Sequence, residues 1–262
     1  MRAASVIHMR VGVQKSGRLF AVWLLCAAIF FAGFSFWLDR YGAPVLATVL
    51  NAEGKTTFAD RNEIDQNPRQ LSTASHLAIG DEVKTAPHEK VSLCLVPGIF
   101  VELAEQTDVR IDELRFTKWG NAMVDAMRSR MAVLHLGKGT VRASLSNLGS
   151  GEYDLKIKTE AGMLVAGWRS LFTLQMEDAT VRITCVQGEV SWNSARARSA
   201  ELIPAGYSCA FRSGDEAARR LLPVSADAQA QSDVVAALEF ADFLKDRGSN
   251  PRDGQAPASG RR

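Results

Sequence analysis

Lys90-Val-Ser-Leu-Cys-Leu-Val-Pro-Gly-Ile-Phe-Val-Glu-Leu103 is the stretch that decides the fold class. Val91 to Val96 is a short apolar run with period-two alternation, and Ile99 to Leu103 repeats the pattern at once, the arrangement of two strands that each turn one face inward. Between them stands Pro97-Gly98. Proline fixes φ for the first turn position and glycine accepts the positive φ that the next requires. The spacing predicts a β-hairpin.

The same signature extends over residues 45–212. Further strands are predicted at Val109–Ile111, Ala132–Leu136, Thr140–Leu145, Tyr153–Lys158, Met163–Val165, Leu171–Met176, Thr180–Val186, Glu189–Trp192 and Ala200–Ile203. Turns are expected at Gly137-Lys-Gly139, 147–151, Glu177-Asp178, Gln187-Gly188 and Pro204-Ala-Gly206. Many short strands at close spacing imply a mainly β domain, either an antiparallel sandwich or a compact β-coil, rather than βαβ units. Gly120 to Met131 interrupts it: Met123, Met127 and Met131 recur every four residues, as in a short helix or an inserted loop whose methionines serve packing. Residues 213–231 read as a linker. Residues 232–248 read as an amphipathic helix opened by Ser232-Asp233 and stopped by Gly248, and 249–262 as a disordered tail.

At the other end, residues 19–38 are twenty positions without a charge, long enough to cross a bilayer core. Trp23 and Trp37 sit toward its two ends, and Arg2, Arg10, Lys15 and Arg18 precede it without any acid. This predicts a single-span signal anchor with residues 1–18 as a cytoplasmic basic tail and everything after Leu38 outside the inner membrane, in the periplasm of a bacterium. Cleavage as a signal peptide is the competing reading, with small residues at Gly42-Ala43 and Ala47. Against it, the apolar run is longer than such a peptide needs. Cys26 lies inside the run after Leu24-Leu25, where a lipidation motif wants a small residue; it reads as a buried thiol.

The 262 residues carry 31 basic and 29 acidic side chains, a balance too even for a chain built around nucleic-acid backbones. Cys26, Cys94, Cys185 and Cys209 show no CxxC pairing, and His8, His76, His88 and His135 are scattered, so no metal or other cofactor is implied. Gly-x-Ser-x-Gly, Walker and dinucleotide glycine patterns are absent. Glu102, Glu105, Asp108, Asp112 and Glu113 read as a charged rim rather than a catalytic carboxylate pair. No catalytic residues are therefore assigned, and an enzyme remains only as a site assembled in three dimensions.

Gly80, Gly98, Gly137, Gly188 and Gly206 recur in strand-x-Gly-x-strand units and are assigned as structural turn positions, with Asp81 as a turn residue accepting backbone N–H bonds. Cys185 and Cys209 stand on strands that the connection through Gly188 and Gly206 would set side by side, a candidate disulfide in an oxidising compartment. The alternative is isolated buried thiols. Trp119, Trp168 and Trp192 are the candidate partner contacts, since Trp anchors many interfaces and stacks on sugars.

The order of motifs resembles one known family. Leu77-Ala-Ile-Gly-Asp-Glu-Val-Lys-Thr85, the 90–103 hairpin and Thr107-Asp-Val109 are similar to the first half of a FecR-type domain. Val133-Leu-His-Leu-Gly-Lys-Gly-Thr-Val141, Ile157-Lys-Thr-Glu-Ala-Gly162, Val181-Arg-Ile-Thr-Cys-Val-Gln-Gly-Glu-Val190 and Leu202-Ile-Pro-Ala-Gly206 resemble the second half. The likeness covers about residues 77–207. It departs at Ala166-Gly-Trp-Arg-Ser-Leu-Phe-Thr-Leu174, where Trp168 stands at the family's usual Thr. The resemblance implies a non-enzymatic, anchored periplasmic domain that binds an envelope protein or glycan in signalling or scaffolding. Family members that regulate extracytoplasmic sigma factors carry a cytoplasmic helical segment before the span. Eighteen residues are too few for such a folded unit, which makes the sigma-factor regulator the alternative reading.

Overall fold

A computed structural model describes residues 45–54, 56–59, 69–118, 127–146, 151–178, 180–195, 200–212 and 215–249. The apolar run 19–38, Trp119 and the tail from 250 lie outside the described residues. Among those described, no helix is long and apolar enough to cross a membrane.

The predicted hairpin forms from β6 (Lys90–Val96) and β7 (Ile99–Leu103), paired Val96 to Ile99 around Pro97-Gly98. It belongs to a front sheet that also contains β1 (Ala47–Glu53), β4 (His76–Leu77), β12 (Leu171–Glu177), β13 (Thr180–Gln187), β16 (Tyr207–Arg212) and β17 (Asp215–Pro223). A back sheet contains β2 (Thr57–Ala59), β3 (Arg69–Gln70), β5 (Glu82–Lys84), β8 (Asp108–Lys118), β10 (Glu152–Thr159), β11 (Gly162–Ala166), β14 (Glu189–Ser194) and β15 (Glu201–Pro204). The long strand β9 (Met127–Leu145) belongs to both: its first half pairs with β8 and β10, its second with β7 and β12. Hairpins alternate between the sheets along the chain, β10–β11 behind, β12–β13 in front, β14–β15 behind, β16–β17 in front.

Inward side chains of both sheets form one contiguous core, including Leu93, Val101, Val141, Phe172 and Ile183 from the front and Ile111, Leu134, Ile157, Leu164 and Trp192 from the back. Strand β10 shows the alternation most plainly, with Tyr153, Leu155 and Ile157 buried and their neighbours not.

Several expectations are corrected. The Gly137-Lys-Gly139 turn is absent: β9 runs straight through it, and the positive φ falls at Gly139 (+92°) rather than Gly137. That is the point where β9 leaves one sheet for the other. The Met repeat is not helical where it is described, since Met127 and Met131 lie in β9. The expected linker 213–231 contains β17 and the first turn of helix α1 (Ala228–Ser249). The helix starts before Ser232 because Asp227 caps it: its Oδ1 accepts the amides of Gln229 (3.0 Å) and Ala230 (3.3 Å).

Gly80, Gly98, Gly188 and Gly206 hold φ of +100°, +92°, +74° and +82°. Asp81 is buried in the β4–β5 turn, where Oδ2 accepts the Ala78 amide at 2.8 Å. No disulfide joins Cys185 and Cys209. The register opposes Cys185 to Tyr207 and Ile183 to Cys209, so the two cysteines are diagonal neighbours. Such positions are typically about 7–8 Å apart, beyond the usual disulfide span.

Candidate functional site

The three tryptophans have different fates. Trp192 is 1 % exposed and stacks on Phe211, ring centroids 5.2 Å apart, joining the back sheet to the front. It is a core residue, not a contact, because Val190 and Trp192 share the inward phase of β14. Trp119 lies outside the described residues. Trp168 is 50 % exposed.

Trp168 stands in the passage from β11 to β12, and three turns fix it. Arg169 adopts φ +60°, a left-handed conformation uncommon for a side-chain-bearing residue. Its guanidinium lies over the Trp168 ring, 4.2 Å from the centroid. Next to it, Ser170 is 2 % exposed, donates through Oγ to the Glu189 carbonyl (3.0 Å) and accepts the Leu145 amide (2.9 Å). Gly188 packs against this backbone so closely that a Cβ there would come within 2.8 Å of the Arg169 carbonyl oxygen. Only glycine fits this approach. The Gly188 carbonyl in turn accepts the Ala205 amide at 3.0 Å, and Gly206 donates to the Cys185 carbonyl at 2.9 Å. Tyr207, 38 % exposed, follows immediately.

Of the sequence-predicted glycines, Gly188 is thus brought to the Trp168 turn, and Gly206 is tied to the Gly188 turn through Ala205 and Cys185. Arg169 and Tyr207 were not anticipated. Phase carried on from Leu164 and Ala166 would point Trp168 inward, and a positive φ at an arginine leaves no mark in composition. The small Gly167 and Ser170 flanking the indole were the available signal for a turn.

The expected acidic rim is not one surface. Glu102 faces outward from β7 with only 12 % side-chain exposure and accepts Arg142 Nη1 at 2.6 Å. Asp112 bonds Arg110 and Lys158 on the back sheet, and these bonds hold its carboxyl below the ordinary value although its partial burial acts the other way. Among the described residues no group of His, Cys, Asp and Glu could hold a metal ion.

No protein-family model matches the sequence, and no curated protein does either, so the likeness to FecR domains rests on the ordered motifs quoted above. Two crystal structures of a candidate anti-sigma factor from Parabacteroides distasonis are similar to part of the fold. Their TM-scores are 0.36 and 0.37 at 13 % and 12 % identity. Each match covers 54 % of this chain and 57 % of that one, little more than half of either.

Proposed function

We propose that the chain is a non-enzymatic recognition domain, anchored by residues 19–38 and exposed outside the inner membrane, that binds an envelope protein through the turn cluster around Trp168. The observation that carries this reading is an indole half exposed on backbone that Arg169, Ser170 and Gly188 hold in place. A large, rigid, amphipathic side chain on a pre-ordered turn is the chemistry of an interface anchor, because little conformational freedom is lost on binding. The FecR resemblance adds the anchored, signalling or scaffolding setting.

The test places a photoreactive amino acid at Gln187, exposed beside this cluster, in the full-length chain in its native cells. A discrete protein crosslink is expected, reduced on the order of tenfold or more by Trp168→Ala, while thermal stability stays within about 0.5 kcal/mol of the parent. Crosslinking that Trp168→Ala leaves unchanged would overturn the site. Recovery of glycan alone would overturn the protein partner, and recovery of a cytoplasmic sigma factor on a probe at Gln187 would overturn the placement of this domain outside the membrane.

A further inference from the structure

Helix α1 lies across the outer face of the front sheet, over β9, β12 and β13, and what it covers is polar. Glu102, Arg142, Thr173 and Thr184 oppose one another in a row across β7, β9, β12 and β13. Thr173 and Thr184 are 1 % and 0 % exposed although they face away from the core. The helix meets this face through Asp233 and Asp227. Thr184 Oγ1 donates to Asp233 Oδ2 at 3.1 Å, Thr173 Oγ1 donates to the Asp233 carbonyl at 3.4 Å, and Arg182 pairs with Asp227 at the helix cap. Asp227, Asp233, Glu239, Asp242 and Asp246 outnumber Lys245 and Arg247, so the segment is acidic where the sheet presents Arg142 and Arg182.

The apolar share of this contact is small. Phe240 is the large side chain of α1 that is fully buried, alongside Ala230 and Ala237, whereas Val235 and Leu238 are 57 % and 47 % exposed. The fit is also incomplete. Arg142 Nε is buried without a hydrogen-bond partner, and an open cleft of about 250 Å³ runs beside Arg142, Ser92, Phe240 and Phe243. An orphaned donor weakens the docked state. An element held through few buried apolar contacts opens separately from a packed sandwich.

We propose that α1 is a releasable strap, and that the outer face of the front sheet beneath it, centred on Arg142, Thr173, Arg182 and Thr184, is a docking surface for an acidic amphipathic helix of a partner protein. In the present structure α1 is the resident substitute for that helix. Its occupancy lowers the apparent affinity of the partner by the fraction of molecules in which the strap is lifted. This surface is separate from the Trp168 turns, so either can fail without the other.

Two measurements on the full chain test it. Hydrogen exchange should show the α1 amides exchanging at least about 100-fold faster than those of β12 and β13, through local opening. Equal protection of helix and strands would overturn the strap. The second measurement titrates a fluorescent synthetic peptide of residues 227–247 against the parent and against Ala237→Glu, which puts a carboxylate at a fully buried strap position and leaves the sheet unaltered. Binding at least about tenfold tighter to the variant is expected, and adding Arg182→Ala and Thr184→Val should abolish it. Equal binding to parent and variant, or binding to neither, would overturn the docking surface. Should Ala237→Glu not fold, the same titration uses Asp227→Ala, which removes the helix cap and its pair with Arg182; tighter binding than to the parent is again expected, and equal binding would overturn the docking surface.

Discussion

Burial pushes the Cys185 thiol up to about 12, with the Glu189 carboxylate adding to the effect, and pushes the Cys94 thiol up to about 11. A free cysteine titrates near 8.5, so at pH 8 an unfolded chain carries reactive thiolate and the folded one does not at either position. Iodoacetamide at pH 8 should leave Cys94 and Cys185 unmodified in the native protein over a time that labels both fully in denaturant, read by peptide mass. Prompt native labelling of Cys185 would show that the thiol is not enclosed in the core. Residue identity foretold part of this: a cysteine in Val181-Arg-Ile-Thr-Cys-Val186 reads as a small apolar side chain, but the two-residue offset from Cys209 is a matter of register between strands distant in sequence. The tryptophans divide the same way. Strand phase alone predicts Trp192 inside, while Trp168 lies past the end of β11 at Ala166, in a turn where strand phase no longer holds.

At the scale of elements, the outward threonines explain why α1 was legible as a helix but not in its placement. Its apolar stripe begins at Val234, so the reading that takes Ser232-Asp233 as the opening starts the helix there, whereas Asp227 starts it more than a turn earlier. Asp233, read as an opening residue, is instead pressed against the front sheet at 6 % exposure. Burial raises its pKa above the ordinary value, against the lowering bonds from Thr184 and Gln229 and the charges of Arg142 and Arg182. Glu102 on β7 and Asp227 at the helix cap are the nearby acids described on neighbouring elements, each paired with an arginine. Because the folded pKa lies above the unfolded one, this group's contribution to stability is fully present below about pH 3.9 and is lost as pH rises through the folded value. Asp233→Asn removes that dependence while keeping an acceptor for Thr184. The variant should therefore be at least as stable as the parent at pH 7, and its advantage should close on acidification. Urea unfolding from pH 7 to pH 4 measures it; a stability difference that stays constant with pH would refute the buried carboxylate.

The whole molecule depends on how β9 joins its two sheets. Parallel strands need a crossover, usually a helix. Here β9 and β10 are parallel in the back sheet, and the crossover is the second half of β9 itself, lying in the front sheet. One turn of coil thus links antiparallel hairpins on either side, which is why period-two patterning read the strands yet could not choose between sandwich and coil: both have the same alternation, and they differ only in which strands become neighbours. The step from back to front occurs at Gly139, where φ is +92° and a Cβ would lie 2.4 Å from Thr107 Oγ1 and 2.5 Å from Thr107 Cα. Thr107 cannot withdraw, since its Oγ1 accepts the Thr140 amide at 2.9 Å and its own amide donates to Thr85 Oγ1 at 2.8 Å. Gly137, two residues earlier, has neither constraint: its Cβ would meet Asp108 at 3.7 to 3.9 Å, ordinary contact. Gly139→Ala should then cost at least about 1–3 kcal/mol from the backbone conformation alone, with the steric clash added. Gly137→Ala should be neutral or stabilise by up to about 1 kcal/mol through the unfolded chain. In a domain of this size each kcal/mol moves the melting temperature by about 2–4 °C, so calorimetry separates the two variants. Equal effects at both glycines would mean that the chain does not cross between the sheets at Gly139, and the coil turn that organises the hairpins on either side would have to be placed elsewhere.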